Sequence, residues 1–436
     1  MEATADVRWS MSDTTQLRRL VVSSFLGTAL EAFDFIVYAL LTPVAFNPLF
    51  FPTLSPGVAT VASLSVFAVG IVARPLGGIF FGHIGDRLGR KTTMILSLSL
   101  MGLATAAIGL TPTYQMIGIA AAVVLAFLRF LQGFAYGGEN SSAPVFVAES
   151  SPPHRRGLYT SWCASGVPAG IALSGVVVNM VAWLPNADML AWGWRVPFLL
   201  SVIAVAIGLY FRLRIVESPV FLASIAAAKP YRLPVAEVLR CYKAPTSIAT
   251  VVSLGQTATF YFTAVFGLSY AIQTLHLAKP TALLGISIGN VIGILLTPFF
   301  GYVSDLVGRR IVMAASFAAA AIYVPLAFFP LLQTGVWLNV VLAMAIPGAL
   351  LQPLSLGISY VFFAELFADA RVRFSGVALG KQVGNVLGAG VLPVISASML
   401  VAGSGQLRYV EAQFVAINLA AIIAAYANQE TKDMRM

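Results

Sequence analysis

Charge is what this 436-residue chain has least of. Asp, Glu, Lys and Arg make up 10% of it, against about 25% in soluble domains, too little to cover a water-facing surface. Acid is scarcer than base: 17 Asp and Glu stand against 26 Lys and Arg, for a formal net charge of +9. There are three histidines and two cysteines. His83, His154 and His276 stand singly with no metal-ligand spacing, and no Ser–His–Asp or Cys–His order presents itself. The sequence is therefore not read as an enzyme, and no metal or cofactor is expected. Cys163 sits in an apolar run and Cys241 in a polar loop, so a disulfide would join two environments; both are read as free thiols. A cleavable signal peptide is also missing, since residues 1–17 are polar and Arg18-Arg19 precede a run too long for a signal core.

What the chain has in abundance is hydrocarbon. It is 59% hydrophobic with a mean hydropathy of +0.88. A membrane span needs about 20 apolar residues to cross about 30 Å. Twelve such runs occur, near 20–46, 58–82, 92–110, 115–148, 157–183, 194–215, 246–273, 281–302, 311–329, 335–364, 373–400 and 408–428. With no water to satisfy their backbones, all must be helices. The expected fold is an all-α membrane protein of twelve transmembrane helices in two six-helix halves.

The placement of base argues against nucleic acid as a partner. Arg8, Arg18 and Arg19, Arg87 to Lys91, Arg155 and Arg156, Arg212 to Lys243, Arg309 and Arg310, Arg371 and Arg373, Lys432 and Arg435 all fall on one side of the spans. The other side holds only Arg195, Lys279 and Arg408. The basic side is expected to be cytoplasmic, with both termini inside a bacterial plasma membrane. The partition is then a tail at 1–19, a half at 20–215, a linker at 216–245, a second half at 246–428 and a tail at 429–436. Six bases and four prolines mark the linker region as a partly helical segment on the membrane surface, where lipid headgroups suffice as its partner and no obligate protein partner is expected.

The two halves are related. Gly82-His83-Ile84-Gly85-Asp86-Arg87-Leu88-Gly89-Arg90-Lys91 recurs 219 residues later as Gly301-Tyr302-Val303-Ser304-Asp305-Leu306-Val307-Gly308-Arg309-Arg310. Glu149 with Arg155 and Arg156 is answered 216 residues later by Glu365 with Arg371 and Arg373. Two landmarks at nearly one offset mean a tandem duplication, a signature of transporter folds. Asp86, Arg90, Glu149, Arg155, Arg156, Asp305, Arg309, Glu365, Arg371 and Arg373 are expected to form a gate that locks the basic faces of the halves by ion pairs and helix dipoles.

These loops resemble the signature of the major facilitator superfamily. Within it the chain is similar to the metabolite:proton symporters. The likeness lies in Glu31-Ala-Phe-Asp34-Phe-Ile-Val-Tyr38, Ala73-Arg74-Pro75-Leu-Gly77-Gly78, Leu128-Arg129-Phe-Leu-Gln132-Gly133, Gly137-Gly138-Glu139 and Trp192-Gly193-Trp194-Arg195-Val-Pro197-Phe198. It covers nearly the whole chain and is densest over residues 25–220. The resemblance implies carriage of citrate, 2-oxoglutarate, shikimate, aromatic acids, proline or betaine by alternating access. One departure is Ala32, where the family usually places an aromatic residue.

Ionisable groups inside a membrane cost a few kcal/mol each and are functional candidates. Glu31, Asp34 and Tyr38 share one face of span 1, with Asp34 about 22 Å from Arg19 along the axis, near mid-bilayer. Arg129, Gln132, Gly133 and Tyr136 make a similar stripe on span 4, with Glu139 deeper. Arg129 needs a carboxylate or an anionic ligand, and Asp34 and Glu31 are its natural partners. Asp34, Glu31 and Glu139 are the expected proton-coupling groups. In the second half Lys381 is the only charge well inside its span. It is read as a second cation facing Arg129, or as a snorkelling side chain. Gln256, Thr259, Asn290, Gln352 and Asn385 supply neutral hydrogen-bonding groups. Gly376, Gly380, Gly384 and Gly388 are read as packing, and Arg74 as structural. The reading is a proton-coupled symporter of a small organic anion. Its alternatives are a zwitterion or aromatic-acid carrier and an uncoupled facilitator.

Overall fold

The computed structural model describes residues 11–227, 231–402, 406–432 and 434. Arg8, Lys229 and Arg435 lie outside the described residues. Among the described residues, eleven helices are long and apolar enough to cross a membrane. The remaining span is continuous helix from Ala370–Asn385 through Val386–Val391 to Leu392–Ala402. The chain is an all-α protein of twelve spans.

Several helices outrun the hydrocarbon. Span 2 is Pro56–Leu88, 33 residues, or about 50 Å at 1.5 Å per residue. Asp86 and Arg87 therefore sit on its last turn and not in a loop, as Asp305 sits on the last turn of span 8, Lys279–Val307. Span 3 (Arg90–Leu110) and span 9 (opening Arg309–Tyr323) start after one residue each, Gly89 and Gly308. Both glycines have positive φ, 110° and 104°, which side chains other than glycine rarely adopt. The repeated glycine of the signature is thus a helix-breaking joint.

Spans 1, 7, 9, 10 and 11 each contain a π-helical stretch: Thr42–Phe46, Phe262–Phe266 with Tyr270–Thr274, Val324–Phe328, Pro347–Leu351 and Val386–Val391. Three of these carry a proline at their first or second residue, which removes an N–H. Span 5 is two helices, Arg156–Ala164 and Gly166–Ala182. Span 4 is Ala120–Glu149, span 6 ends in Val196–Leu213, span 7 opens with Lys243–Tyr261, and span 10 runs from Trp337 to Glu365. Cys241 ends a short linker helix, Pro234–Cys241.

Within the first half, spans 2, 3 and 6 pack around spans 1 and 4. In the second half span 7 lies against spans 11 and 12, and span 8 against span 10. The halves meet reciprocally: span 2 on span 11, span 5 on span 8, with span 4 against spans 10 and 11. The glycine series on span 11 acts as packing. A Cβ at Gly380 or Gly384 would fall 2.6 Å from the Ala249 Cβ or 2.4 Å from the Thr250 carbonyl of span 7.

Candidate functional site

The duplicated charge clusters at the basic ends of the spans come first. Asp86 reaches out of its own half: its Oδ1 and Oδ2 accept the backbone N–H groups of Phe374 (3.2 Å) and Ser375 (2.8 Å) in the opening turns of span 11. Arg90 holds the same carboxylate at 3.0 Å. Asp305 does the mirror operation, accepting from Gly157 and Leu158 at 2.9 Å each where span 5 begins, and is held by Arg309 at 2.7 Å. Asp305 thus caps the start of span 5, where the helix dipole favours negative charge, while Asp86 reaches the second turn of span 11, whose N-cap is Asp369.

A second layer lies against the first. Glu149 takes Arg90 (3.1 Å) from its own half, Arg373 (2.8 Å) from the other, and the Ser218 hydroxyl (2.6 Å). Glu365 takes Arg309 (3.4 Å), Arg156 of the first half (3.8 Å) and the Thr431 hydroxyl (2.8 Å). All of these charged groups are buried. Two expected members fall outside. Arg155 is exposed, and Arg371 pairs with its neighbour Asp369 at 2.8 Å and lies over Tyr231 of the linker. One residue separates Arg371 from Arg373, and on a helix that turns the two onto different faces. Burial pushes the Asp369 carboxyl up, but the bonds from Arg371 outweigh it and hold the group below the usual carboxylate range.

Two gate residues are not in the expected set. Glu217 accepts the backbone N–H groups of Arg90 (3.0 Å) and Lys91 (3.2 Å), and Glu430 those of Arg309 (2.9 Å) and Arg310 (3.2 Å). They cap the joints at Gly89 and Gly308, where an added Cβ would meet their carboxylates at 2.1 and 2.7 Å. The signal was legible: Glu217-Ser218 and Glu430-Thr431 repeat just after spans 6 and 12. Exchange of Asp86 for Asn removes the carboxylate charge while leaving the cavity untouched. Exchange rate in proteoliposomes should fall several-fold with half-saturation within about twofold of wild type. A large loss of affinity at normal exchange rate would remove Asp86 from the gate.

Deeper in the first half a pocket is lined by Glu31, Asp34, Arg74, Arg129, Gln132 and Tyr136, among others. Span 1 brings the acids, span 2 Arg74 and span 4 the rest. Asp34 is held by hydroxyls: Thr105 of span 3 and Ser201 of span 6 donate to it at 2.6 Å each, and Gln132 at 3.4 Å. Arg129 does not pair with Asp34 or Glu31 as its position suggests. It donates to the Gln132 carbonyl, so an amide stands between the charges. Its guanidinium lies 4.2 Å over Tyr38, and its Nε and Nη2 have no partner. Glu31 is buried with Oε1 unpartnered. Glu139 faces away from this cavity, in a buried ion pair with Arg212, and also accepts from Ser97 at 2.9 Å. Arg212 is therefore an interior residue of the first half, not one of the loop bases.

The second half contributes a neutral pocket of about 320 Å³ lined by Thr259, Thr263, Asn290 and Gln352, among others. Thr259 and Thr263 donate to their own helix at 3.0 and 2.8 Å, whereas Asn290 Oδ1 and Gln352 Oε1 lack partners. Gln256 is tied to Ser359 (3.0 Å), and Asn385 accepts from Ser253 (3.0 Å) and Thr257 (2.6 Å). Both of these amides are occupied within their half. Lys381 does not snorkel. It is buried in the seam between halves, donating to the Asn140 carbonyl at 3.0 Å and to its side-chain oxygen, with Tyr360 3.9 Å beneath it. Among the described residues, no carboxylate forms an ion pair with Arg74, Arg129 or Lys381.

A family model described as "Major Facilitator Superfamily" matches residues 24–389. The chain is 36% identical to the "Inner membrane metabolite transport protein YhjE" of Escherichia coli (strain K12), covering 91% of this chain and 92% of that one. It is 33% identical to the "Shikimate transporter" of the same organism, over 88% of each chain. The likeness to its "Proline/betaine transporter" is 32%, over 96% of this chain and 85% of the other. The solved structure of the proton:xylose symporter XylE superposes with a TM-score of 0.78, covering 97% of this chain and 98% of that one at 18% identity. Family model, relatives and fold agree: this chain is a membrane transporter, not an enzyme, and belongs to the major facilitator superfamily.

Proposed function

We propose that the transporter carries a small organic anion together with protons, by rocking of the two halves about a midplane site. The observation that carries this reading is the set of buried cations without counter-carboxylates. Arg129 and Lys381 come from opposite halves, and each is bonded only to neutral groups. Unpaired charge at membrane depth costs several kcal/mol unless something negative visits. A substrate carboxylate meets that need from both sides, so its binding favours closure. Asp34 and Glu31 share the cavity with Arg129 and are the proton-exchanging groups. A substrate anion that occupies Arg129 removes positive charge from beside them and favours their protonation, which is a physical basis for symport.

The basic end, where the gate is closed, faces the cytoplasm by the positive-inside rule, in the bacterial inner membrane. The cargo is a mono-, di- or tricarboxylate, and protons are the only coupling ion required. A second reading is favoured by one observation: the cavity holds both signs of charge, Glu31 with Arg129, as a zwitterion would need. Uptake of labelled carboxylates, proline and betaine by proteoliposomes, with and without an imposed pH gradient, separates the two. Accumulation of no acid, with or without the gradient, would overturn the anion reading.

Lys381→Met keeps the stem and removes the charge. Affinity for the transported anion should fall tenfold or more, about 1.4 kcal/mol, in folded purified protein. Unchanged affinity would make the lysine a strut between halves and return the zwitterion reading to the front.

A further inference from the structure

The geometry points to Arg74 as a substrate ligand: with Arg129 it forms a two-guanidinium cradle that takes the carboxylate of an organic acid. This deepens the anion reading and rests on it. Sequence position suggests a structural role, because Arg74 precedes Pro75 and a glycine pair. The side chain does something else. It turns into the same cavity as Arg129, and the two guanidiniums share one aromatic ring, Phe35, at 4.4 and 5.5 Å. Tyr136 supports Arg74 from the other side at 3.9 Å.

Both arginines are more than nine-tenths buried, neither has a carboxylate partner among the described residues, and each has an unpartnered Nε. Arg129 Nη2 is unpartnered as well. A buried donor without an acceptor is costly, and two guanidiniums facing one cavity repel each other as well. Aromatic faces offset part of this through cation–π attraction, but they supply no hydrogen-bond acceptor. A carboxylate supplies what is missing: two oxygens with four lone-pair directions, matched to the planar fork of arginine. The two acids already in the cavity do not, since Glu31 forms no ion pair with either arginine. Asp34 has its oxygens engaged by Thr105, Ser201 and Gln132. The unpartnered donors therefore fit an acid that comes and goes.

Arg74 also explains how the second half senses occupancy. Its platform Tyr136 accepts from Asn140 at 2.5 Å, and Asn140 is the residue that holds Lys381 of span 11. A carboxylate drawn onto Arg74 thus bears, through Tyr136 and Asn140, on a contact that crosses between halves. The ligand class is an organic acid whose carboxylate is ionised, not a neutral polyol and not a cation.

The test uses purified full-length transporter and thermal-shift and equilibrium binding with benzoate, succinate and citrate, their neutral amides, and glycine betaine. One or more of the acids should bind wild type while the matching amide does not. For that acid, Arg74→Gln should raise Kd at least tenfold with melting temperature near wild type. Arg74→Lys, which keeps charge and stem, should recover part of the affinity and guards against misfolding of the first variant. Wild-type affinity for the acid in either folded variant would overturn the cradle while leaving the anion reading intact. Binding of glycine betaine or an amide with no response to any acid would instead overturn the anion reading, and the cradle with it.

Discussion

Glu149→Gln should release the closed gate. In the closed state its carboxylate neutralises Arg90 and Arg373, both fully buried, and removal of its charge leaves two guanidiniums facing a neutral amide. Breaking a buried pair by neutralising one member costs about 3 to 5 kcal/mol, because the remaining charge is left in low dielectric. Opening relieves that cost, since Arg373 leaves with the second half and meets water. The cost therefore falls on the closed state and shifts the equilibrium by about a hundredfold or more toward an open basic face. Arg90 keeps Asp86 and the Gly85 carbonyl within the first half, and the Ala370 carbonyl of span 11 remains as a bond between halves. Spin labels or fluorophores on the basic ends of spans 2 and 11 should report a longer distance in the variant. Thiol probes should reach the inner seam faster. An unchanged distance distribution would mean that the two Asp carboxylates hold the gate without the second layer.

How much of this was readable in the residues depends on the range of the interaction. The twelve spans follow from hydrocarbon length, and the gate acids from a repeat that needs no coordinates. Duplication singles out Asp86 and Asp305, and both accept backbone N–H groups of the opposite half. Partner choice was less legible. Arg129 is a short step from Asp34 by helical phase, yet Gln132 comes between them, because an amide on the next turn of the same helix reaches the guanidinium first. Glu139 was grouped with the coupling acids by its depth, but depth does not say which neighbouring helix it faces, and Arg212 waits there. Arg74 was passed over because its proline and glycines explain the backbone and say nothing of the side chain. Each of these depends on helix rotation and interhelix packing, which periodicity within one span does not encode.

Asp34→Asn should abolish proton-driven accumulation while leaving the carrier folded and able to exchange. The surroundings of Asp34 tolerate the change. Thr105 and Ser201 are hydroxyls, which donate to a carboxylate oxygen and equally accept from an amide N–H. Ser201 has a second acceptor for its own proton in the Pro197 carbonyl at 3.3 Å, so its hydrogen can turn away when Asp34 carries one. The same property lets the site accommodate a protonated aspartic acid, which is the state a symporter must visit on each cycle. Asparagine fixes the site in that neutral state. It cannot release the proton on the low-concentration side, so the pH gradient loses its hold on the substrate. Uphill uptake into proteoliposomes with only a pH gradient imposed should therefore fall to the equilibration level, a loss of at least tenfold in steady-state accumulation. Counterflow of labelled against unlabelled substrate should continue at a rate within several-fold of wild type, since that exchange needs no net proton movement. The proton-to-substrate flux ratio, followed with an internal pH dye, should drop toward zero in the same vesicles. If the variant still concentrates substrate on the gradient alone, coupling passes to Glu31, whose buried carboxylate oxygen has no partner and which faces Arg74 and Arg129 in the same cavity.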